Sequence, residues 1–273
     1  MRPAYVKLGM LGLMLLLCTS CGTEEPSAAP DPVRQEYSED YTDAAVYRVV
    51  GWDLDLEAMD TYPQRVDSVS EGRDGAMVVD LSVKNQTYYY LEPVPIDGRD
   101  YSEEIAAYLK PSEKVTWEGD DLMALLDKVD GGDVFAFASN AAYWAAHSLE
   151  YDGDLARRIS NGECDTLNAE EALARGGGTC SEYTNLFLAL MRARGIPARF
   201  ETGICLDGEG KPMSSHAWAS FFLDGYGWIP ADPQIGSVGI YDNYIRLELG
   251  LDFADIGKAF QDYGCYVTLA PTR

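Results

Sequence analysis

The residue best placed for chemistry is a cysteine inside the window GGGTCSEYTNLFLALMRARGIPAR, residues 176–199. Thr179 and Glu182 have capping-box spacing, which predicts Thr179 at a helix N-cap and Cys180 on the first helical position. Tyr183, Leu186, Phe187, Leu190 and Met191 then recur at i, i+3, i+4 spacing, and Gly195 followed by Pro197 supplies a stop. Unpaired N–H groups at such a tip favour negative charge, and Gly176, Gly177 and Gly178 let backbone lie close to it. A thiolate is such a charge. A neighbouring imidazolium stabilises it further and turns an ordinary thiol into a nucleophile.

The chain has two histidines, His147 and His216. His216 lies in SSHAWASFFLDGYGWIPADPQIG, residues 214–236, where Ala217, Ala219 and Phe221 alternate with His216, Trp218, Ser220 and Phe222. This is the pattern of a strand covered on both faces. Asp224 and Gly225 then turn the chain back through Trp228 and Ile229 to Asp232, on an antiparallel neighbour. The turn decides whether His216 and Asp232 meet. A two-residue turn at 224 and 225 would set His216 opposite residue 233 and aim Asp232 at the other face. A three-residue loop over 224–226, with Gly227 left-handed, would pair 216 with 234 and leave Asp232 diagonal to the histidine. The three-residue loop is the expected geometry.

A GxC-initiated helix ending in GIPAR, then HAW on a strand, then GW-x-P-x-DP, resembles the transglutaminase-like superfamily over about residues 105–240. The resemblance implies an α+β, papain-like core, with the nucleophile's helix packed against an antiparallel sheet. It further implies Cys180 as nucleophile, His216 as general base and acid, and Asp232 as the histidine's orienting partner. Beyond the nucleophile's own N–H, the oxyanion-hole candidates are Trp144 and Tyr143 on the preceding helix. The implied reaction is attack on an amide or peptide bond of a peptide or protein substrate through a thioester. Water resolves that thioester in a peptidase or amidase, and a lysine amine resolves it in a protein-glutamine acyltransferase. Hydrolysis is the expectation, by analogy with bacterial relatives. The alternatives are acyl transfer and a cell-surface peptide-binding module without catalysis. A helix-tip cysteine or a strand histidine is more often structural when it stands alone. Together with an aspartate at the motif position, they favour catalysis. His147 has no motif around it and is expected to serve packing.

The elements that must position these residues divide the chain as follows. Arg2 and Lys7 precede an apolar run, Leu8 to Leu17, that is too short to span a membrane, so residues 1–20 are expected to be a signal peptide. Leu17, Cys18, Thr19, Ser20 and Cys21 resemble the lipobox of bacterial lipoproteins, which implies lipid on Cys21 and an extracytoplasmic, membrane-anchored protein. Residues 21–44, acidic and proline-bearing, read as a flexible tether. Residues 45–104 form a β-rich segment. Within it, Trp52, Leu54 and Leu56 alternate with Asp53 and Asp55, and Val79, Leu81 and Val83 alternate with Asp80 and Ser82. Residues 105–245 are the expected catalytic core. There, Leu122, Leu125, Leu126 and Val129 predict a helix ending near Gly131, and residues 134–150 predict a buried one. Residues 246–273 are expected as a C-terminal extension on the core.

Composition narrows the partners. With 45 Asp+Glu against 21 Lys+Arg, the formal charge is −24, which repels nucleic acid. Apart from Cys18 and Cys21, the cysteines are Cys164, Cys180, Cys205 and Cys265, with no CxxC spacing. Neither a metal site nor any other cofactor is indicated. With Cys180 reserved as a thiol, the other three permit one disulfide, its pairing open.

Overall fold

The computed structural model describes residues 40–85, 92–207, 209–256 and 265–270. The signal segment, Cys21 and most of the tether lie outside them. Along the chain come β1 (Ala45–Gly51), α1 (Leu56–Met59), β2 (Gln64–Glu71) and β3 (Met77–Val83). Four helices or near-helical turns follow: α2 (Glu103–Ala106), α3 (Asp120–Leu126), α4 (Val134–Ser148) and, after the short β4 (Glu150–Tyr151), α5 (Gly153–Ser160). Next are α6 (Ala169–Arg175), β5 (Gly177–Gly178) and α7 (Cys180–Ala193). The strands β6 (Ala198–Leu206), β7 (Pro212–Leu223), β8 (Gly227–Asp232), β9 (Ser237–Val238), β10 (Tyr244–Gly250) and β11 (Tyr266–Leu269) complete it.

The fold is α+β with two antiparallel sheets, ordered β11-β1-β3-β2 and β10-β6-β7-β8-β9. One apolar core lies between the helices and the five-stranded sheet. A second, containing Val49, Leu81, Ile204, Leu206, Ile245 and Leu247, joins the two sheets. Because Ile245 and Leu247 of β10 belong to that second core, a boundary at 245 cuts through a strand of the five-stranded sheet. The segment 246–273 is therefore not one extension: β10 borders β6, while β11 pairs with β1 and closes the N-terminal sheet.

The alternation through Val79, Leu81 and Val83 is a strand as expected, but that through Trp52, Leu54 and Leu56 is not. β1 ends at Gly51, Asp53 adopts a left-handed φ of 53°, and Asp55 caps α1 by accepting from Ala58 N at 3.0 Å. Short acidic side chains that bond their own backbone outcompete a ladder here. Helix α3 also stops earlier than its apolar spacing suggested, at Leu126.

Helix α7 begins and ends as its sequence signals require, with Thr179 at the N-cap and Gly195 at φ 85° beyond the C-terminus. Its apolar residues do not form a stripe facing one partner. Every residue from Cys180 to Arg192 is buried, since α4 and α6 cover what the sheet does not. Two of its buried polar side chains donate inside: Thr184 Oγ1 to Cys180 O at 2.8 Å and Asn185 Nδ2 to Leu167 O at 3.1 Å.

In the β7–β8 hairpin, Leu223 pairs with Gly227, so the loop is the three residues 224–226, with Gly227 at φ 86°. The ladder runs to Ala219↔Ala231. Continued in register, it sets residue 216 opposite 234 and leaves Asp232 on the face of His216, the geometry expected from the sequence.

The sheet's strands are tied by one carboxylate. Glu201, 1% exposed, accepts from Trp218 Nε1 (2.8 Å) and Ser220 Oγ (2.6 Å) on β7 and from Arg199 Nε (3.1 Å) on its own strand. It also accepts from Arg246 Nη1 on β10, 3.2 Å from both of its oxygens. Burial disfavours the Glu201 carboxylate, yet Arg246 and Arg199 together hold it well below the usual range. Arg246 reaches on into the N-terminal unit, donating to Ala58 O at 2.7 Å and to Thr61 O, while its backbone N donates to Gln64 Oε1 at 3.0 Å. Replacing Glu201 with alanine strands two buried guanidinium groups. The expected outcome for Glu201→Ala is a loss of roughly 3–5 kcal/mol in urea denaturation, against little change for an exposed control such as Glu209→Ala.

Candidate active site

The position of Cys180 is set from both sides of the N-cap. Glu182 Oε2 accepts from Thr179 N (2.7 Å) and Oγ1 (2.6 Å), and Glu182 Oε1 accepts from Leu167 N at 2.7 Å. The loop before the helix must lie against this first turn: a Cβ on Gly178 would sit 2.3 Å from Glu182 Cβ. Gly177 and Gly178 also form β5, whose pairing with β4 brings Tyr151 beside the helix tip.

His216 sits on β7 with Nε2 2.8 Å from Asp232 Oδ2, and Cys180 is in hydrogen-bond contact with the same ring. Since Nε2 is engaged by the aspartate, Nδ1 is the nitrogen left for the thiol. Asp232 is 1% exposed and held from three sides. Besides His216, it accepts from Gln234 N at 3.0 Å on Oδ1 and from Tyr244 OH at 2.7 Å on Oδ2. Trp218 lies nearly parallel to the imidazole, its ring centroid 6.2 Å away, and Tyr244 meets the imidazole at 5.8 Å, inclined 66°. The indole is in turn fixed through Nε1 to Glu201. Gly203, paired with His216, leaves room for it, since a Cβ there would lie 2.9 Å from Trp218 Cη2.

Burial alone would discharge the imidazolium. The hydrogen bonds with Asp232 and Cys180, and their charges, outweigh it and carry the His216 pKa up to about 10. At neutral pH the ring is held protonated between a carboxylate and a thiol. The arrangement can deliver a proton to a departing amine and hold a sulfur anion beside an imidazolium.

The sequence-derived trio Cys180, His216 and Asp232 is therefore brought together. Tyr143 and Trp144 are not part of it. The Tyr143 ring stacks at 4.0 Å on exposed His147, whose Nδ1 lies 2.7 Å from Tyr143 O, and Trp144 lies under Lys128 Nζ. Neither lines the cleft, because the side chains at 143 and 144 leave α4 toward these other neighbours. The residue that does reach the cleft is Tyr151 on β4. Its hydroxyl pKa is raised by burial and by negative charge at Cys180 and Glu182. Tyr244 was also missed by sequence reasoning. It carries no motif, and only the pairing of β10 with β6, Tyr244 opposite Cys205, brings it to Asp232.

Cys164, Cys180 and Cys205 are free thiols. Cys205, on β6 opposite Ser214 and Tyr244, has its thiol pKa pushed up by burial, with the charges of Asp232 and Cys180 adding to it. Among the described residues, no cluster of His, Cys, Asp or Glu is arranged to hold a metal, and no helix is long and apolar enough to cross a membrane.

Residues 124–233, which contain all three side chains, match the transglutaminase-like superfamily. That stretch is similar to a transglutaminase-like domain. Curated relatives include an uncharacterised protein of Haemophilus influenzae, 26% identical over 66% of this chain, and one of Mycobacterium leprae, 30% identical over 42%. The matched stretches span 51% and 40% of those two proteins' own lengths. Among solved structures, a candidate cysteine protease from Cytophaga hutchinsonii is similar in fold, with a TM-score of 0.53 and 18% identity, over 82% of this chain and 81% of that one.

The raised His216 pKa has a consequence for this domain's stability. An unfolded histidine loses its proton near about pH 6.5, whereas the folded one keeps it to about pH 10. The stabilisation from this group is full below the lower value and lost as pH rises through the upper one. Urea midpoints measured between about pH 6 and pH 10 are expected to fall more steeply in the wild type than in His216→Ala. Parallel curves would mean that His216 is not held charged.

Proposed function

We propose that this chain is an extracytoplasmic cysteine hydrolase that cleaves amide or peptide bonds in peptide or protein substrates. The observation that carries the reading is the contact of Cys180, at the tip of a buried helix, with an imidazole whose other nitrogen is 2.8 Å from a buried carboxylate. In this reading, the Cys180 thiolate attacks the carbonyl carbon, forming the C–S bond. The tetrahedral oxyanion takes the N–H of Cys180 at the helix N-terminus as a donor. His216 gives its proton to the departing nitrogen as the C–N bond breaks, leaving a thioester and a neutral imidazole. That imidazole then takes a proton from water, which attacks the thioester and releases the carboxylic acid and the thiolate. Asp232, fixed by Gln234 N and Tyr244 OH, holds the ring in one orientation throughout. Hydrolysis is preferred over transfer to an amine, and the solved fold neighbour described as a candidate cysteine protease supports that preference.

Iodoacetamide labelling tests the chemistry. Cys180 is expected to alkylate at neutral pH at least about 10-fold faster than Cys164, Cys205 and Cys265, and to lose that advantage in His216→Ala. Uniformly slow labelling would sink the reading. Incubation with a peptide library, with and without an added primary amine, then separates the outcomes by mass: new termini for hydrolysis, amine adducts for transfer.

The location belongs to the same proposal. The basic start at Arg2 and Lys7, the apolar run Leu8 to Leu17, Cys21 and the acidic residues after it support lipid attachment at Cys21, with the folded part outside the cytoplasm. Expression in a bacterial host fed tritiated palmitate is expected to label the wild type and not Cys21→Ser. Equal labelling of the two would refute the anchor.

A further inference from the structure

The cleft beside Cys180 has a volume of about 280 Å³, room for roughly one large side chain with its backbone. Tyr151, Ala156, Ile159 and Phe253 give it apolar surface, and serines, Thr179 and Gln234 give it neutral polar surface. No residue lining it is Asp, Glu, Lys or Arg, in a chain where 24% of residues are charged and acids outnumber bases by more than two to one. The lining's charge is confined to the reacting pair, His216 and Cys180, and the imidazolium is further matched by Asp232.

Tyr151, part of this lining, is 55% exposed. Large apolar side chains held in water at the mouth of a cleft cost free energy unless a ligand covers them. Tyr151 is such a side chain, and it stands beside Cys180 in the lining. The occupant that fits is continuous with the substrate at Cys180: a polypeptide whose side chains beside the attacked carbonyl are uncharged and apolar.

We infer that Tyr151 and Ile159 select substrates carrying apolar side chains next to the attacked bond and that the uncharged lining rejects those carrying acidic or basic ones. A charged side chain entering this cleft gives up water and finds no opposite charge, whereas an apolar one gains contact with Ile159 and Tyr151. The overall charge of −24 does not predict this preference. It would favour a basic substrate, and the lining offers a basic side chain no carboxylate. The inference rests on the reading of Cys180 as a nucleophile and extends it to the substrate's side chains.

Three peptidyl vinyl sulfones, identical but for leucine, glutamate or lysine beside the warhead, test it on the full chain, with iodoacetamide as a reagent that needs no side-chain recognition. The expected result is fast iodoacetamide labelling of Cys180, with the leucine probe reacting at least about 10-fold faster than either charged probe. Fast iodoacetamide labelling with a smaller preference, or with a charged probe fastest, overturns the inference and leaves the nucleophile standing. Slow iodoacetamide labelling overturns the nucleophile, and the inference with it. Two variants place the preference on the named wall. Tyr151→Lys, at an exposed position, and Ile159→Lys, at a half-buried one, are each expected to narrow the leucine-to-glutamate ratio by about 5-fold or more by supplying the missing opposite charge. Unchanged ratios in both would show that these side chains do not select.

Discussion

Much of this molecule depends on one ionised carboxylate kept out of water. Glu201 lies at the centre of the five-stranded sheet and receives bonds from β6, β7 and β10. A carboxylate buried this completely is tolerable only if its charge is matched and its lone pairs are occupied. Both conditions are met, by Arg199 and Arg246 for charge and by Trp218 and Ser220 for the remaining sites. The cost of burying the group is thus converted into a requirement that three strands keep one register. Apolar packing alone tolerates small slips and does not impose that requirement.

That constraint reaches the site through aromatic contact. Trp218 is pinned at its nitrogen by Glu201 and lies along the imidazole of His216, two residues earlier on the same face of β7. Tyr244 closes the other side, meeting the rings of both Trp218 and His216 while donating to Asp232. His216 therefore has little freedom to rotate away from the thiol. The N-terminal sheet shares in this arrangement, because Arg246 spans from Glu201 to the carbonyls of Ala58 and Thr61. A segment far from the cleft in sequence is wired to the strand that carries Tyr244.

Electrostatically, the surface and the cleft differ. The chain is strongly acidic, which suits solubility and repels polyanions. The cleft has no Asp, Glu, Lys or Arg in its lining, and the charge of His216 is matched by Asp232. Recognition at such a place rests on desolvation and fit, while long-range attraction contributes little.

The features that local order alone sets were legible in the sequence: the capped start of α7 at Thr179 and its stop at Gly195, the strand bearing His216, and the loop length that decides whether Asp232 shares its face. Each follows from spacing and from turn or cap chemistry within about twenty residues, so the pattern carries the physics directly. Local alternation misled at Trp52 to Leu56, where Asp55 caps a helix instead of extending a strand. What only the tertiary structure decided depends on strands that meet across long stretches of chain. Tyr244 reaches Asp232 because β10 pairs with β6, and Tyr151 reaches Cys180 because β4 pairs with β5. Tyr143 and Trp144 turn away, and β11 returns to the N-terminal sheet. The reason is that strand pairing and buried charge are satisfied by whichever segment the fold brings near, and no local spacing records which one that is.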